Sequence, residues 1–257
     1  MTVVFPPASA HAESTNQGDL VSLTRVIEND GAISVPSIGL GEPQLARYQA
    51  EAERVYSAHG SSGRRPAGIR ALSAKSDMFR ELIESREFRA IAEGVLGKAC
   101  FPVRTILFDK TPDANWDVPW HQDATIAVVS RPDNLTDAPG FGPWSVKEGV
   151  HHVQPPASVL ERMLTLRLHL DDCPEDNGAL RIVPGSHAHG FIEEASLKRE
   201  ECESRARTLA VPAGGLVVMR PLALHASRKA TRPAHRRVVH VEFAADALPY
   251  GLEWVRL

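Results

Sequence analysis

Met163-Leu164-Thr165-Leu166-Arg167-Leu168-His169-Leu170 is the stretch on which the fold turns. Apolar and polar residues alternate through it without a break. A period of two is that of a β-strand, whose successive side chains leave opposite faces, and it does not fit the 3.6-residue repeat of a helix. Leu164, Leu166, Leu168 and Leu170 share one face; Thr165, Arg167 and His169 share the other. The same grammar extends outward. Residues 103–108, 124–129, 179–183, 215–219 and 237–243 read as further short strands, separated by turn signals at Glu175-Asp176-Asn177-Gly178, Pro184-Gly185-Ser186 and Pro212-Ala213-Gly214-Gly215. Many short strands with no alternating helices predict a jelly roll or barrel.

The first hundred residues differ. A helical stretch from Asp19 leads to the Asp30-Gly31 turn and a short strand, Ala32–Val35. Glu42–His59 repeats apolar residues at helical spacing through Leu45, Tyr48, Ala52, Val55 and Tyr56, and a polar loop comes next over 60–66. Two more helices are predicted over Asp77–Glu84 and Arg86–Leu96, the latter ended by Gly97. Residues 1–18 read as a flexible tail. Residues 19–257 read as a single domain, mainly β with N-terminal helices.

A length of 257 residues suits one domain with a sizeable core, and the 43% hydrophobic and 24% charged content is that of a globular chain. The net charge of -3 gives no basic footprint for nucleic acid. No apolar run approaches the roughly 20 residues of a membrane helix. Cys100, Cys173 and Cys202 form no CxxC pair and read as reduced thiols, and MTVVFPPASAHA at 1–12, though it ends like a signal peptide, has no basic n-region and is interrupted by two prolines, so a cytoplasmic protein is expected. A monomer or homodimer acting on a small molecule is expected.

Trp120-His121-Gln122-Asp123 carries the chemistry. In extended backbone the side chains at i and i+2 leave the same side, so His121 and Asp123 can reach one ion. His225, just after an apolar strand, is the best third ligand. Two His and one carboxylate make the facial triad of non-haem Fe(II) oxygenases, which leaves coordination positions for a bidentate co-substrate and O2. H-x-D alone is a weak signal in a chain with 11 His. Its weight comes from two residues downstream of His225: Ser227, two positions on, and Arg236, eleven on, whose planar fork suits a carboxylate.

These residues resemble the phytanoyl-CoA dioxygenase superfamily. The resemblance rests on Trp120 to Asp123, on DDCPEDNGALRIVPGSH at 171–187, on PAGGLVVM at 212–219, on LHAS at 224–227 with Arg236-Arg237, and on IENDGAISV at 27–35. It implies a double-stranded β-helix core of the jelly-roll, cupin-like kind, with iron held by His121, Asp123 and His225. It implies 2-oxoglutarate as co-substrate, its far carboxylate on Arg236 with help from Ser227, and O2 at the remaining position. Arg237 competes for that role; alternation puts only one of the pair inside, and the family's spacing favours Arg236. Related halogenating enzymes have Gly or Ala in place of the carboxylate, so Asp123 implies hydroxylation or another oxidation.

Other residues are candidates at lower weight. Thr125 lies close enough after Asp123 to touch the co-substrate. The polar face of 163–170 either lines the pocket, where Arg167 holds an anionic substrate group, or is solvated; four leucines favour the second for most sheets, and N-terminal helices covering the strand keep the first open. Lys110 and Trp144 are further substrate candidates. Trp144 lies in the long segment 131–156, read as a lid because it leaves the strand carrying Asp123. Trp116 and Trp120 fit either the mouth or the core, and His187 and His189 fit a structural turn. Arg64-Arg65 and Arg228-Lys229 are the only basic pairs suited to CoA phosphates, so a small metabolite or natural-product intermediate is favoured over an acyl-CoA. The rival readings are a non-catalytic jelly-roll binding protein and a zinc-dependent hydrolase using Glu148 or Glu175 as base.

Overall fold

The structure, a computed structural model, describes residues 17–59, 65–134 and 138–255. In chain order the elements are α1 (Gln17–Asp30), β1 (Ala32–Val35), α2 (Glu42–His59), β2 (Gly68–Arg70), α3 (Leu72–Lys75), α4 (Asp77–Glu84) and α5 (Arg86–Leu96), then β3 (Phe101–Lys110), β4 (Val118–His121), β5 (Ile126–Val128), β6 (Trp144–Lys147), β7 (Val150–Val153) and α6 (Ala157–Leu160). They continue with β8 (Met163–His169), β9 (Leu180–Ile182), α7 (Arg199–Arg205), β10 (Arg207–Leu209), β11 (Leu216–Met219), β12 (His225–Ser227) and β13 (Arg236–Ala244). The expected tail at 1–18 lies outside the described residues up to 16, whereas residues 17 and 18 already belong to α1.

The core is a jelly roll of antiparallel sheets that do not close into a barrel. A six-stranded sheet runs β1-β11-β8-β13-β3-β2, and a four-stranded sheet runs β10-β9-β12-β4. The helices cover one face of the large sheet. Leu164, Leu166, Leu168 and Leu170 are fully buried in one apolar cluster with Val55, Phe79, Ile83 and Phe88 from α2, α4 and α5. Two of these helices begin at serine caps: Ser76 and Ser85 each accept from the backbone N–H three residues on, at 3.2 Å, and so seat Phe79 and Phe88 in the core. With the leucines under the helices, the opposite face must look into the roll. Thr165, Arg167 and His169 are buried there, so the polar face of β8 is internal and not solvated.

Segment 131–156 is not a simple loop. Glu148 (φ 51°) and Gly149 (φ 80°) put two successive residues in the left-handed region, which matches the twist of a two-residue hairpin turn. β6 and β7 pair across that turn, and β7 pairs with β5, giving a third sheet in the order β5-β7-β6. Residues 135–137 of the segment lie outside the described residues. No described helix is long and apolar enough to cross a membrane, and Cys100, Cys173 and Cys202 are buried and unpaired.

Leu168→Ala should cost about 2–5 kcal/mol, since it leaves a cavity at a fully buried junction of sheet and helices. Val146→Ala, at a position 61% exposed, should stay within about 0.5 kcal/mol. Urea denaturation midpoints of the two variants would check both values.

Candidate metal centre

β4 delivers His121 at its last residue, in register with His225 of β12. Alternation then turns Gln122 away from His121 and Asp123, and its amide is fully used. Nε2 donates to the carbonyls of Gly190 (2.8 Å) and Leu222 (2.7 Å), and Oε1 accepts from the N–H of Ile192 (2.9 Å). The Asp123 N–H donates to the Pro221 carbonyl (3.0 Å), so the backbone beyond β4 is tied to the chain entering β12. Sequence reasoning passed over Gln122. Its signal was its position, since the middle residue of an extended H-x-D has to point the other way.

The ligand atoms of His121, Asp123 and His225 lie within 4.8 Å of one another. His225 Nε2 is 3.8 Å from Asp123 Oδ2, and the two imidazole centroids are 4.1 Å apart. A backbone carbonyl only accepts, so each ring is fixed with its proton on Nδ1. His121 Nδ1 donates to the Pro119 carbonyl (2.9 Å) and His225 Nδ1 to the Ala223 carbonyl (2.8 Å). Both Nε2 lone pairs therefore face Asp123, as metal ligation requires. Burial, then the neighbouring His121, drives His225 down to about 3, so its ring is neutral at physiological pH. Burial alone would raise the Asp123 carboxyl. The imidazoles of His225, His240 and His121 and then the Arg104 guanidinium hold it below the usual carboxylate range, so it is ionised. Its buried Oδ2 has no hydrogen-bond partner. One carboxylate and two imidazoles oriented through Nδ1 fit a divalent metal.

A second acidic group, Asp123 with His240 and Glu242, is also compact. Cations already fill it: Arg104 lies 3.3 Å from Glu242, and Arg167 Nη1 is 3.0 Å from His240 Nδ1. A metal there would meet two guanidinium groups.

The other end of the interior is built around Arg236. At the start of β13, Arg236 pairs with Lys110 and Arg237 with Asp109 of β3, so alternation sends the first pair inward and the second outward. Buried Asp109 pins this start: it accepts from the Arg236 N–H (3.1 Å) and pairs with Arg65 (2.7 Å). Arg237 is held outside by Asp171, through Nε (2.8 Å) and Nη2 (2.5 Å). Inside, the Ser227 hydroxyl accepts from Arg236 Nη1 (2.9 Å) and Lys110 Nζ (2.8 Å), and it donates to the Gly178 carbonyl (2.9 Å). Arg236 Nη1 donates to the same carbonyl. Gly178 has φ 68°, and a Cβ there would stand 2.8 Å from the Arg228 carbonyl, so glycine is required beside this cluster.

Thr125 sits beyond Asp123, its carbonyl accepting from Arg104 Nη1 (2.8 Å). Lys110, expected at a substrate contact, instead belongs to the Arg236 end, because its ammonium is bound to Ser227 and the Arg228 carbonyl (3.0 Å). Burial and the charge of Arg236 lower its pKa to about 7. Trp144 lies in the three-stranded sheet, opposite Val153 and packed against the apolar cluster of Ile126 and Val153. Trp120 is buried and donates to Glu203 (3.1 Å), a structural role, and His187 packs against Gly31. Glu148 is exposed and lies 3.8 Å from Arg70; Glu175 is exposed. Arg64 lies outside the described residues.

Known proteins share this architecture. SnoN, a non-heme alpha-ketoglutarate-dependent epimerase of nogalamycin biosynthesis, superposes with a TM-score of 0.68 at 22% identity, over 92% of this chain and 88% of its own. EctD from S. alaskensis, solved with bound Fe, gives 0.67 at 18% identity over 91% and 80%. SnoK, a non-heme alpha-ketoglutarate-dependent carbocyclase, gives 0.64 at 18% over 88% and 84%. A search of curated proteins finds no significant sequence match. The family model of phytanoyl-CoA dioxygenase (PhyH) matches residues 27–238, which spans every strand from β1 into β13, and the chain therefore belongs to this family of iron- and 2-oxoglutarate-dependent enzymes.

Proposed function

We infer that the protein hydroxylates an unactivated carbon of a small molecule, consuming 2-oxoglutarate and O2 and releasing succinate and CO2. The observation that carries this reading is one interior with two matched ends. His121, Asp123 and His225 offer three ligand atoms at one end. Arg236, Ser227 and Lys110 offer donors for a carboxylate at the other. Iron, when bound, supplies the centre at which O2 oxidatively decarboxylates 2-oxoglutarate, one oxygen atom passing to succinate and the other to substrate.

The chain's own residues hold, orient and neutralise. The Nδ1 bonds of His121 and His225 keep their Nε2 atoms turned toward Asp123, and burial keeps the His225 ring neutral, so its Nε2 lone pair is open to a metal. Asp123 contributes one negative charge and occupies a third ligand position. Arg236, buried without a carboxylate partner among the described residues, meets the far carboxylate of the co-substrate through a charge-assisted fork. Ser227 orients that fork, and Lys110 adds a proton-dependent charge. A small substrate is favoured over an acyl-CoA by the engagement of the basic residues suited to CoA phosphates. Arg65 is bound to Glu53 and Asp109, and Arg228 to Glu203.

Iron-loaded protein given 2-oxoglutarate and air should form succinate, with substrate raising the rate. Asp123→Ala should abolish the reaction, and the absence of O2-dependent succinate from iron-loaded wild type would end this reading. Arg236→Gln should weaken 2-oxoglutarate binding by about tenfold or more, as expected for one lost charge-assisted contact, whereas Arg237→Gln should not.

The co-substrate is a dianion, so it binds more tightly when Lys110 is charged. Affinity should therefore fall as pH rises through about 7, and binding near pH 7 should take up a proton. Calorimetry in two buffers of different ionisation enthalpy would detect that uptake, and Lys110→Met should remove it.

A further inference from the structure

We propose that Arg167 is the second arm of a two-guanidinium clamp on the 2-oxo acid: Arg236 takes the distal carboxylate, and Arg167 takes the carboxylate beside the keto group. The clamp rests on the oxygenase reading above, and it assigns Arg167 to the co-substrate instead of the substrate.

Strand register sets the spacing of the two backbone anchors. On β13 the inward residues after Arg236 are Val238, His240 and Glu242, and Arg167 of β8 lies directly across from His240. Four residues of strand separate Arg236 from His240, about 13 Å along the sheet at the usual rise. Arg167 therefore reaches the floor of the roll at the metal end, while Arg236 holds the far end. The ligand atoms of His240 and Asp123 lie within 4.8 Å, which puts Arg167's partner beside the triad.

The hydrogen bonds show which guanidinium is free. A guanidinium only donates, so His240 Nδ1 accepts from Arg167 Nη1 (3.0 Å). His240 must then carry its proton on Nε2, where it donates to Glu242 Oε1 (3.2 Å). Glu242 in turn pairs with Arg104 (3.3 Å). Arg104 thus has a carboxylate in contact, whereas Arg167 has none among the described residues: it lies over the Phe108 ring at 5.7 Å and feels the Asp123 and Glu242 charges only at longer range. Arg167 and Arg236 are 8% and 4% exposed, and each has a buried Nε without a hydrogen-bond partner. Among the described residues neither guanidinium pairs with a carboxylate. Two buried guanidinium groups on the inward face of one sheet, neither in contact with a carboxylate, are costly unless an anion joins them. A dicarboxylate reaching from Arg236 to the metal answers both, one charge at each end. Between the two arms lies His169, whose ring nitrogens are also without partners.

Two ligands separate the arms: 2-oxoglutarate, and 2-oxopentanoate, which has the same chain without the distal carboxylate. Binding of each to the iron-loaded protein is monitored anaerobically through the visible charge-transfer band of the chelated 2-oxo acid. Arg236→Gln should raise the 2-oxoglutarate midpoint by about tenfold or more and leave 2-oxopentanoate nearly unchanged. Arg167→Gln should raise both midpoints by a similar factor, because it addresses the carboxylate that the two ligands share. Arg167→Lys, which keeps the charge but not the fork, should raise both by a smaller common factor, and it carries the test should the Gln variant fail to fold. Unchanged midpoints for both ligands, or a loss confined to 2-oxoglutarate, would overturn the clamp. No band from wild type with 2-oxoglutarate would instead overturn the oxygenase reading.

Discussion

Everything at this site depends on a strand being buried on both faces. β8 is covered on its leucine face by α2, α4 and α5, and period-two alternation leaves its other residues no place but the interior of the roll. The same constraint on β13 and β3 brings Arg236, His240, Glu242, Arg104 and Lys110 inside. A folded domain seldom gathers so many ionisable groups in its interior, because a charge without a countercharge in a low-dielectric medium costs several kcal/mol. More than half of the buried side-chain polar atoms without partners among the described residues belong to Asp123, Thr165, Arg167, His169 and Arg236. The interior thereby gathers a carboxylate between two imidazoles at one end and guanidinium groups without a carboxylate in contact along its floor.

The smaller sheet supplies what the larger one cannot. β4 and β12 run antiparallel with His121 opposite His225, so two imidazoles that are distant in sequence become neighbours by register alone. The Pro119 and Ala223 carbonyls, each two residues before its histidine, then fix both tautomers. Gln122 and the Asp123 N–H bind the flanking loops, which limits how far Asp123 can swing from the rings. Proton position and side-chain direction are thus set before any metal arrives, and preorganisation of this kind reduces the reorganisation that ligation demands.

Much of this was legible in the sequence. The alternation of 163–170 predicted β8, helical spacing predicted α2, α4 and α5 with the observed bounds, and H-x-D with a distal His and Arg predicted that His121, Asp123 and His225 would cluster and that Arg236 would point inward. The direction of Arg167 was not legible, because the helices that cover the leucine face lie far away in the chain. Lys110 was placed at the substrate for a similar reason: only the pairing of β3 with β13 shows that it faces Arg236. The hairpin within 131–156 was hidden by short strands of mixed polarity, and its one local signal was the Glu148-Gly149 turn.

The central claim is that a single interior holds a metal at His121, Asp123 and His225 and a dicarboxylate stretched toward Arg236. A crystal structure of the protein grown anaerobically with Fe(II) and 2-oxoglutarate tests it most directly. The expected result is iron bonded to the Nε2 atoms of both histidines and to the Asp123 carboxylate, with the distal carboxylate of 2-oxoglutarate on Arg236 and Ser227. Iron bound through other side chains, or a co-substrate whose distal carboxylate lies away from Arg236, would contradict it.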